Sequence, residues 1–152
     1  MGKREDFNAA LKDAMKSKDA LATATLRLIL AALKDRDITA RTKGGADGVD
    51  DNEILSMLQS MIKQREESAK SYSDAGRCDL ADREEAEVEI IRKFLPEQLS
   101  DEKVKEVIRK ISGEIGAHDI KDMGRLMNEL KTRYAGQIEM KKASQMVKEH
   151  LS

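Results

Sequence analysis

Phe94-Leu95-Pro96-Glu97-Gln98-Leu99-Ser100 contains the only proline of this 152-residue chain. Proline has no N–H to give to a helix, and its ring pushes the preceding residue, here Leu95, out of helical angles. A helix should therefore end at about Phe94. Ser100 is a good N-cap, and Asp101 and Glu102 then set negative charge on the positive end of a new helix. The stretch reads as a junction between two helical domains, residues 1–95 and residues 96–152.

On the N-terminal side, four helices are expected. Phe7, Ala10, Leu11, Ala14 and Met15 share one face of a first helix over Glu5–Lys16, and Ser17-Lys18-Asp19 is a tight connection. A second helix runs from Ala20 to about Ala40. Its Leu21, Leu26, Leu28, Ile29, Leu30 and Leu33 keep to no narrow stripe, as in a helix buried on several sides. Its charged tail, Lys34-Asp35-Arg36-Asp37, should emerge into solvent. Gly44, Gly45 and Gly48 make Arg41 to Val49 a loop. That loop lacks the Gly-Lys-Ser/Thr order and preceding strand of a phosphate-binding loop. Asp50, with Glu53 three residues on, opens a third helix that reaches Tyr72, with Gly76 beyond its end. A fourth helix starts at about Asp79 with Leu80, Val88, Ile91 and Leu95 as apolar positions. The acidic run Glu84, Glu85, Glu87 and Glu89 reads as its solvated face, because no His or Cys stands at ligand spacing beside it.

On the C-terminal side, three helices follow. Val104, Val107, Ile108, Ile111 and Ile115 face one way on the fifth, which Gly116 ends. Asp119 caps the sixth, with Asp122 at its third position. This helix carries Met123, Leu126, Met127, Leu130 and Tyr134, and Gly136 closes it. The seventh spans Glu139 to Leu151 with Met140, Ala143, Val147 and Leu151 inward. Nothing reads as a strand, so the fold class is all-α.

Composition narrows the function. Aromatic residues are 3% and tryptophan is absent, so the core must be aliphatic and methionine-rich. One cysteine, Cys78, excludes an internal disulfide and a multi-thiolate metal site, and fits a reducing compartment. Lys3-Arg4-Glu5-Asp6 is too charged to open a signal peptide, and the apolar run Leu26–Leu33 contains Arg27 and is too short to span a bilayer. A cytoplasmic protein is expected, with neither membrane nor DNA as partner. No catalytic residue, metal site or cofactor is assigned. His118 and His150 lack flanking motifs, and Cys78, before a helix start, lacks a histidine nearby in sequence.

Two segments carry a family likeness. The first is Gly76-Arg77-x-Asp79-Leu80-Ala81, then the acidic run, then Phe94 to Ser100. The second is Asp122-Met123-Gly124-Arg125-Leu126-Met127, then Ala135-Gly136 and Ala143-Ser144-x-x-Val147-Lys148. With Thr25-Leu26-Arg27-Leu28-Ile29-Leu30-Ala31-Ala32-Leu33-Lys34, they resemble the GatB/YqeY family, more closely its free-standing YqeY-like members. The resemblance implies an α-helical N-terminal domain and a small helical tail. That tail is similar to the end of the B subunit of the glutamyl/aspartyl-tRNA amidotransferase, where it contacts tRNA. The larger B-subunit domain that holds the phosphorylation and transamidation site has no counterpart here, nor does the amidase signature of the glutaminase subunit. One departure stands out: where the family often has an aspartate after the last glycine, this chain reads Gly136-Gln137-Ile138-Glu139, with Glu139 left as the substitute cap.

Three functions follow as expectations. The first is a tRNA-associated accessory protein, a binding module beside a tRNA-modifying or amidotransferase-type partner. From Ser100 onward there are 11 Lys and Arg against 9 Asp and Glu, a net of +2, and the rest of the chain is 17 against 20, a net of −3. RNA is bound through phosphates and shape, which Lys121, Arg125, Lys131, Arg133, Lys141, Lys142 and Lys148 could serve, with Gly124 leaving backbone open to a phosphate. Arg125 should turn away from the buried side, with Lys121 at i−4 on the same outer face. The second is a carbon–nitrogen ligase that uses glutamine as amide donor, a label the family could pass on, supplied with chemistry by a partner. The third is a protein-interaction adaptor with Met123, Met127, Met140 and Met146 lining an adaptable groove.

Overall fold

Asp19, Asp50 and Ser100 each accept the backbone N–H three residues ahead (Ala22, Glu53 and Lys103), so three helices start on a side-chain cap. The computed structural model describes residues 2–45 and 47–152, and among these the chain is all-α. The helices are α1 (Lys3–Lys16), α2 (Ala20–Thr42), α3 (Asp51–Asp74), α4 (Cys78–Arg92), α5 (Asp101–Ile115), α6 (Met123–Arg133) and α7 (Met140–Leu151). A 3₁₀ turn, Ile120–Asp122, precedes α6. The helices gather into two compact units, one reaching Leu95 and one beginning at Pro96.

In the first unit, Phe7, Leu26, Ile29, Leu33, Ile54, Met57, Leu58, Val88 and Ile91 form the core. Helix α2 packs on α1, α3 and α4, the central position its breadth of apolar residues suggested. Its burial is nevertheless one-sided: Leu28 is 48% exposed and Ile38 49%. The ends of the unit meet, since the Phe7 and Phe94 rings form an edge-to-face pair 5.0 Å apart and Lys3 Nζ donates to the Phe94 carbonyl.

Several sequence expectations shift here. Helix α1 starts at Lys3 rather than Glu5, α2 runs two residues past Ala40, and α3 two past Tyr72. Helix α4 takes Cys78 as its first residue and ends at Arg92, with Phe94 and Leu95 in a tightened turn of i→i−3 bonds. Two expectations about charge are overturned. Asp37 does not emerge into solvent. It is buried at 9% exposure, its two oxygens accept two bonds of 2.8 Å from Arg4, and it accepts the Val49 N–H. Glu87 does not belong to a solvated face either. It is buried at 8% exposure and held by Arg65 at 3.1 Å and Arg83 at 3.6 Å. Both carboxylates are buried because a guanidinium meets them from another helix, a pairing no single-helix period can display.

The Arg65–Glu87 pair lies between α3 and α4, and Arg65 also donates to the Met61 carbonyl. Glu87→Ala is expected to lower the unfolding free energy by about 3 kcal/mol, because it leaves Arg65 desolvated and unpaired. The double variant Arg65→Met/Glu87→Leu should recover most of that loss, since an apolar pair of similar volume removes the desolvation cost. Urea unfolding of the three proteins measures both; a double variant as weak as the single one would overturn the account.

In the second unit, Val107, Ile108, Ile111, Leu126, Leu130, Ala143 and Val147 are nearly inaccessible, and each helix packs on the other two. Helix α5 ends as Gly116 adopts φ 68°, and Ser112 and Ala117 exchange bonds there, Oγ to carbonyl and N–H to carbonyl. The chain entering the unit is pinned to the α6–α7 connection. Gln98 Nε2 donates to the Gly136 carbonyl and Leu99 N to the Gln137 carbonyl, with Gly136 at φ 76°.

Candidate nucleic-acid interface

Helix α6 has Leu126 and Leu130 fully buried and Met123 and Met127 half-buried, which fixes its inner side. Gly124, Arg125, Asn128, Lys131 and Thr132 are exposed. A Cβ added at Gly124 would meet nothing within 4 Å, so the backbone there is open to solvent. Asp119 caps the 3₁₀ turn rather than α6, and Lys121 lies in that turn. Lys121 is thus exposed, but it is not one helical turn behind Arg125 on a single α-helix, as the i−4 spacing suggested.

Three of the eight candidate residues are engaged with carboxylates of their own unit. Arg125 Nη2 lies 2.9 Å from Asp122 Oδ1, and Asp122 also accepts the His118 N–H. These two bonds, His118 first, hold the Asp122 carboxyl below its ordinary pKa. Arg133 reaches Glu114 on α5 and Glu129 one turn back, and Glu114 chiefly raises its pKa. Lys142 pairs with Asp101 at the start of α5 at 2.9 Å, which raises its pKa. Arg133 and Lys142 therefore mark the α5-facing flanks of α6 and α7.

Lys121, Lys131, Lys141 and Lys148 are exposed and have no carboxylate partner among the described residues. Lys131 is seven residues from Gly124, and Lys148 seven from Lys141, so each pair shares a helix face. Both faces are turned away from the flanks on which Arg133 and Lys142 meet α5. Glu139 takes the N-cap position of α7 with no side-chain capping bond, so the substitution for aspartate does not reproduce a cap.

Other chemistry finds less. His118 and His150, distant in sequence, border one small cleft with Ser112, Gly113, Ala117 and Leu151, a meeting no local motif signals. Cys78 is exposed at the start of α4. Among the described residues no group of three or more His, Cys, Asp or Glu is placed to hold a metal, and no helix is long and apolar enough to cross a membrane. Met123, Met127, Met140 and Met146 are half-buried against the core of the unit.

The family model described as "Yqey-like protein" matches residues 4–151. Curated proteins similar to this chain include "Altered inheritance of mitochondria protein 41, mitochondrial" of Clavispora lusitaniae, 38% identical over 72% of this chain and 62% of its own length. The protein of the same name from Candida glabrata is 34% identical over 57% of this chain and 46% of its own length. An uncharacterised protein of Schizosaccharomyces pombe is 32% identical over 59% and 69%. The chain thus spans about half to two thirds of the length of these relatives.

Proposed function

Because the chain belongs to the Yqey-like protein family, we propose that it is a tRNA-associated accessory protein that binds RNA through the unit beginning at Pro96. The observation that carries this reading is the set of exposed lysines, Lys131 on α6 and Lys141 and Lys148 on α7, left without carboxylates among the described residues. Lysine ammonium groups recognise phosphate as point charges, and their affinity comes from release of counterions around the nucleic acid. Lys121 and Arg125 lie beyond this set, with Arg125 able to exchange its exposed Asp122 contact for a phosphate. The two units act in this reading as separate domains, of four and three helices. The proposed compartment is the cytoplasm, argued from the lone cysteine, which fits a reducing environment; the mitochondrial location in the relatives' names is said of those proteins. Catalysis, where the chain takes part in amide transfer, would come from a partner.

The experiment is a titration of labelled tRNA with the full chain at several salt concentrations. Binding should weaken with a log–log slope of about −4 to −5, as the three lysines together with Lys121 and Arg125 require. Gly124→Ala gives an internal check. It should stabilise the protein by about 0.5 kcal/mol, since glycine is poor in a helix and the added methyl has open space. It should also weaken tRNA binding if a phosphate approaches the bare backbone. Failure of the wild type to bind tRNA near physiological salt would refute the reading.

A further inference from the structure

Helix α2 carries a second pattern on the side turned away from its core. Leu21, Ala24, Leu28, Ala31, Asp35 and Ile38 recur at alternating spacings of three and four, the a and d positions of three heptads. This stripe is not covered: Leu21 and Ala24 are half-buried, and Leu28, Ala31, Asp35 and Ile38 are exposed. Leu28 at 48% and Ile38 at 49% are two of the four large apolar side chains left open on the chain among the described residues. The buried Leu26, Ile29 and Leu33 lie on the opposite side, so the stripe is not an edge of the core.

The charges beside it are one-sided. Arg27, Lys34 and Arg41 fall at the three g positions, all exposed, while the other flank holds the uncharged Thr25, Ala32 and Thr39. Arg27 and Lys34 have no carboxylate partner among the described residues. A row of cations with a spacing of seven along an open apolar seam is what g positions need to select an acidic partner helix. A second copy of the same face fits poorly. Parallel pairing sets Asp35 against Asp35, and antiparallel pairing sets the cation rows against each other.

We infer that the outward face of α2 is a docking surface for an amphipathic helix of a partner protein, with an apolar seam and acidic residues flanking it. This surface is in the other unit from the proposed RNA face and stands independently of it. The partner helix meets Leu28, Ala31 and Ile38 with its seam, sets carboxylates against Arg27, Lys34 and Arg41, and carries a polar or cationic residue opposite Asp35.

Two synthetic three-heptad peptides test this on the full chain. Both have Leu at a and d, save an Asn at the position that meets Asp35; one has Glu at every e and g, the other Lys, and like charges keep each from pairing with itself. In fluorescence anisotropy the Glu peptide should bind at least about tenfold tighter than the Lys peptide, like-charge contacts opposing the latter. Arg27→Glu/Lys34→Glu should invert the order, and Leu28→Glu should weaken both peptides by about tenfold or more. Circular dichroism checks folding. If Leu28→Glu misfolds, the inversion in the double variant, which keeps the apolar stripe, remains decisive. Equal binding of the two peptides, or a preference the charge reversal leaves unchanged, overturns the inference. So does a dimer of the chain, seen by sedimentation, that Leu28→Glu dissolves. Loss of tRNA affinity in the charge-reversed variant, with neither peptide bound by the wild type, would give the ridge to RNA instead.

Discussion

Asp37→Ala is expected to lower the unfolding free energy by about 2–3 kcal/mol at neutral pH, toward the lower end for a broken buried pair because Arg4 is partly open to water. The substitution removes two bonds from Arg4 and leaves the Val49 N–H without its acceptor, so the start of α1, the end of α2 and the entry to α3 lose one shared anchor. Arg4 Nη2 also donates to the Val49 carbonyl, so the guanidinium keeps one partner. Gly48→Ala should fail at the same place: the added Cβ would collide with Asp37 Oδ1, at a backbone φ of 82° that favours glycine. Burial pushes the Asp37 carboxyl up, but the Arg4 and Val49 bonds and the charges of Arg4 and Arg41 outweigh it, and the net pKa lies below the ordinary value. Because the unfolded chain protonates Asp37 near pH 3.9, its stabilising contribution is complete above that pH. It is lost as the pH falls through the lower folded-state pKa. Denaturant unfolding of wild type and variant at pH 7 and at decreasing acid pH checks both claims. A gap that stays constant down to about pH 2, below the usual carboxylate range, would show that the carboxylate charge is not the cause.

The second large effect concerns RNA. Lys131→Ala/Lys141→Ala/Lys148→Ala should reduce the salt slope of tRNA binding by about three units, one for each lost phosphate contact. At low salt the affinity should fall by roughly one to two orders of magnitude, in keeping with the loss of three of the contacts that dominate such binding. Arg133→Ala/Lys142→Ala is the contrasting variant. Both side chains already answer carboxylates of α5, so removing them should leave the slope nearly unchanged. A triple variant that binds with the wild-type slope would remove these lysines as the RNA face. Thermal unfolding of each variant separates lost contacts from lost structure.

The amino-acid sequence alone determined the helical elements and most of their ends. The three-four spacing of apolar residues is a local property, and so are the caps at Asp50 and Ser100 and the left-handed glycines at 76, 116 and 136. Helix α6 shows where local reading reaches its limit. Asp119 is a sound cap by sequence, yet it caps a 3₁₀ turn, because Asp122 turns back to take the His118 N–H and the α-helix begins one turn later. Tertiary structure decided which charges are free. Asp37 and Glu87 read as solvated because their own helices surround them with polar residues, but Arg4 and Arg65 arrive from elsewhere in the chain. In the same way Arg133 and Lys142 look like their lysine neighbours until α5 brings Glu114 and Asp101 to them. Helix periodicity names the side a residue faces; only packing names what stands on that side, and a charge that an opposite charge of the fold has already met must give up that partner before it serves a ligand.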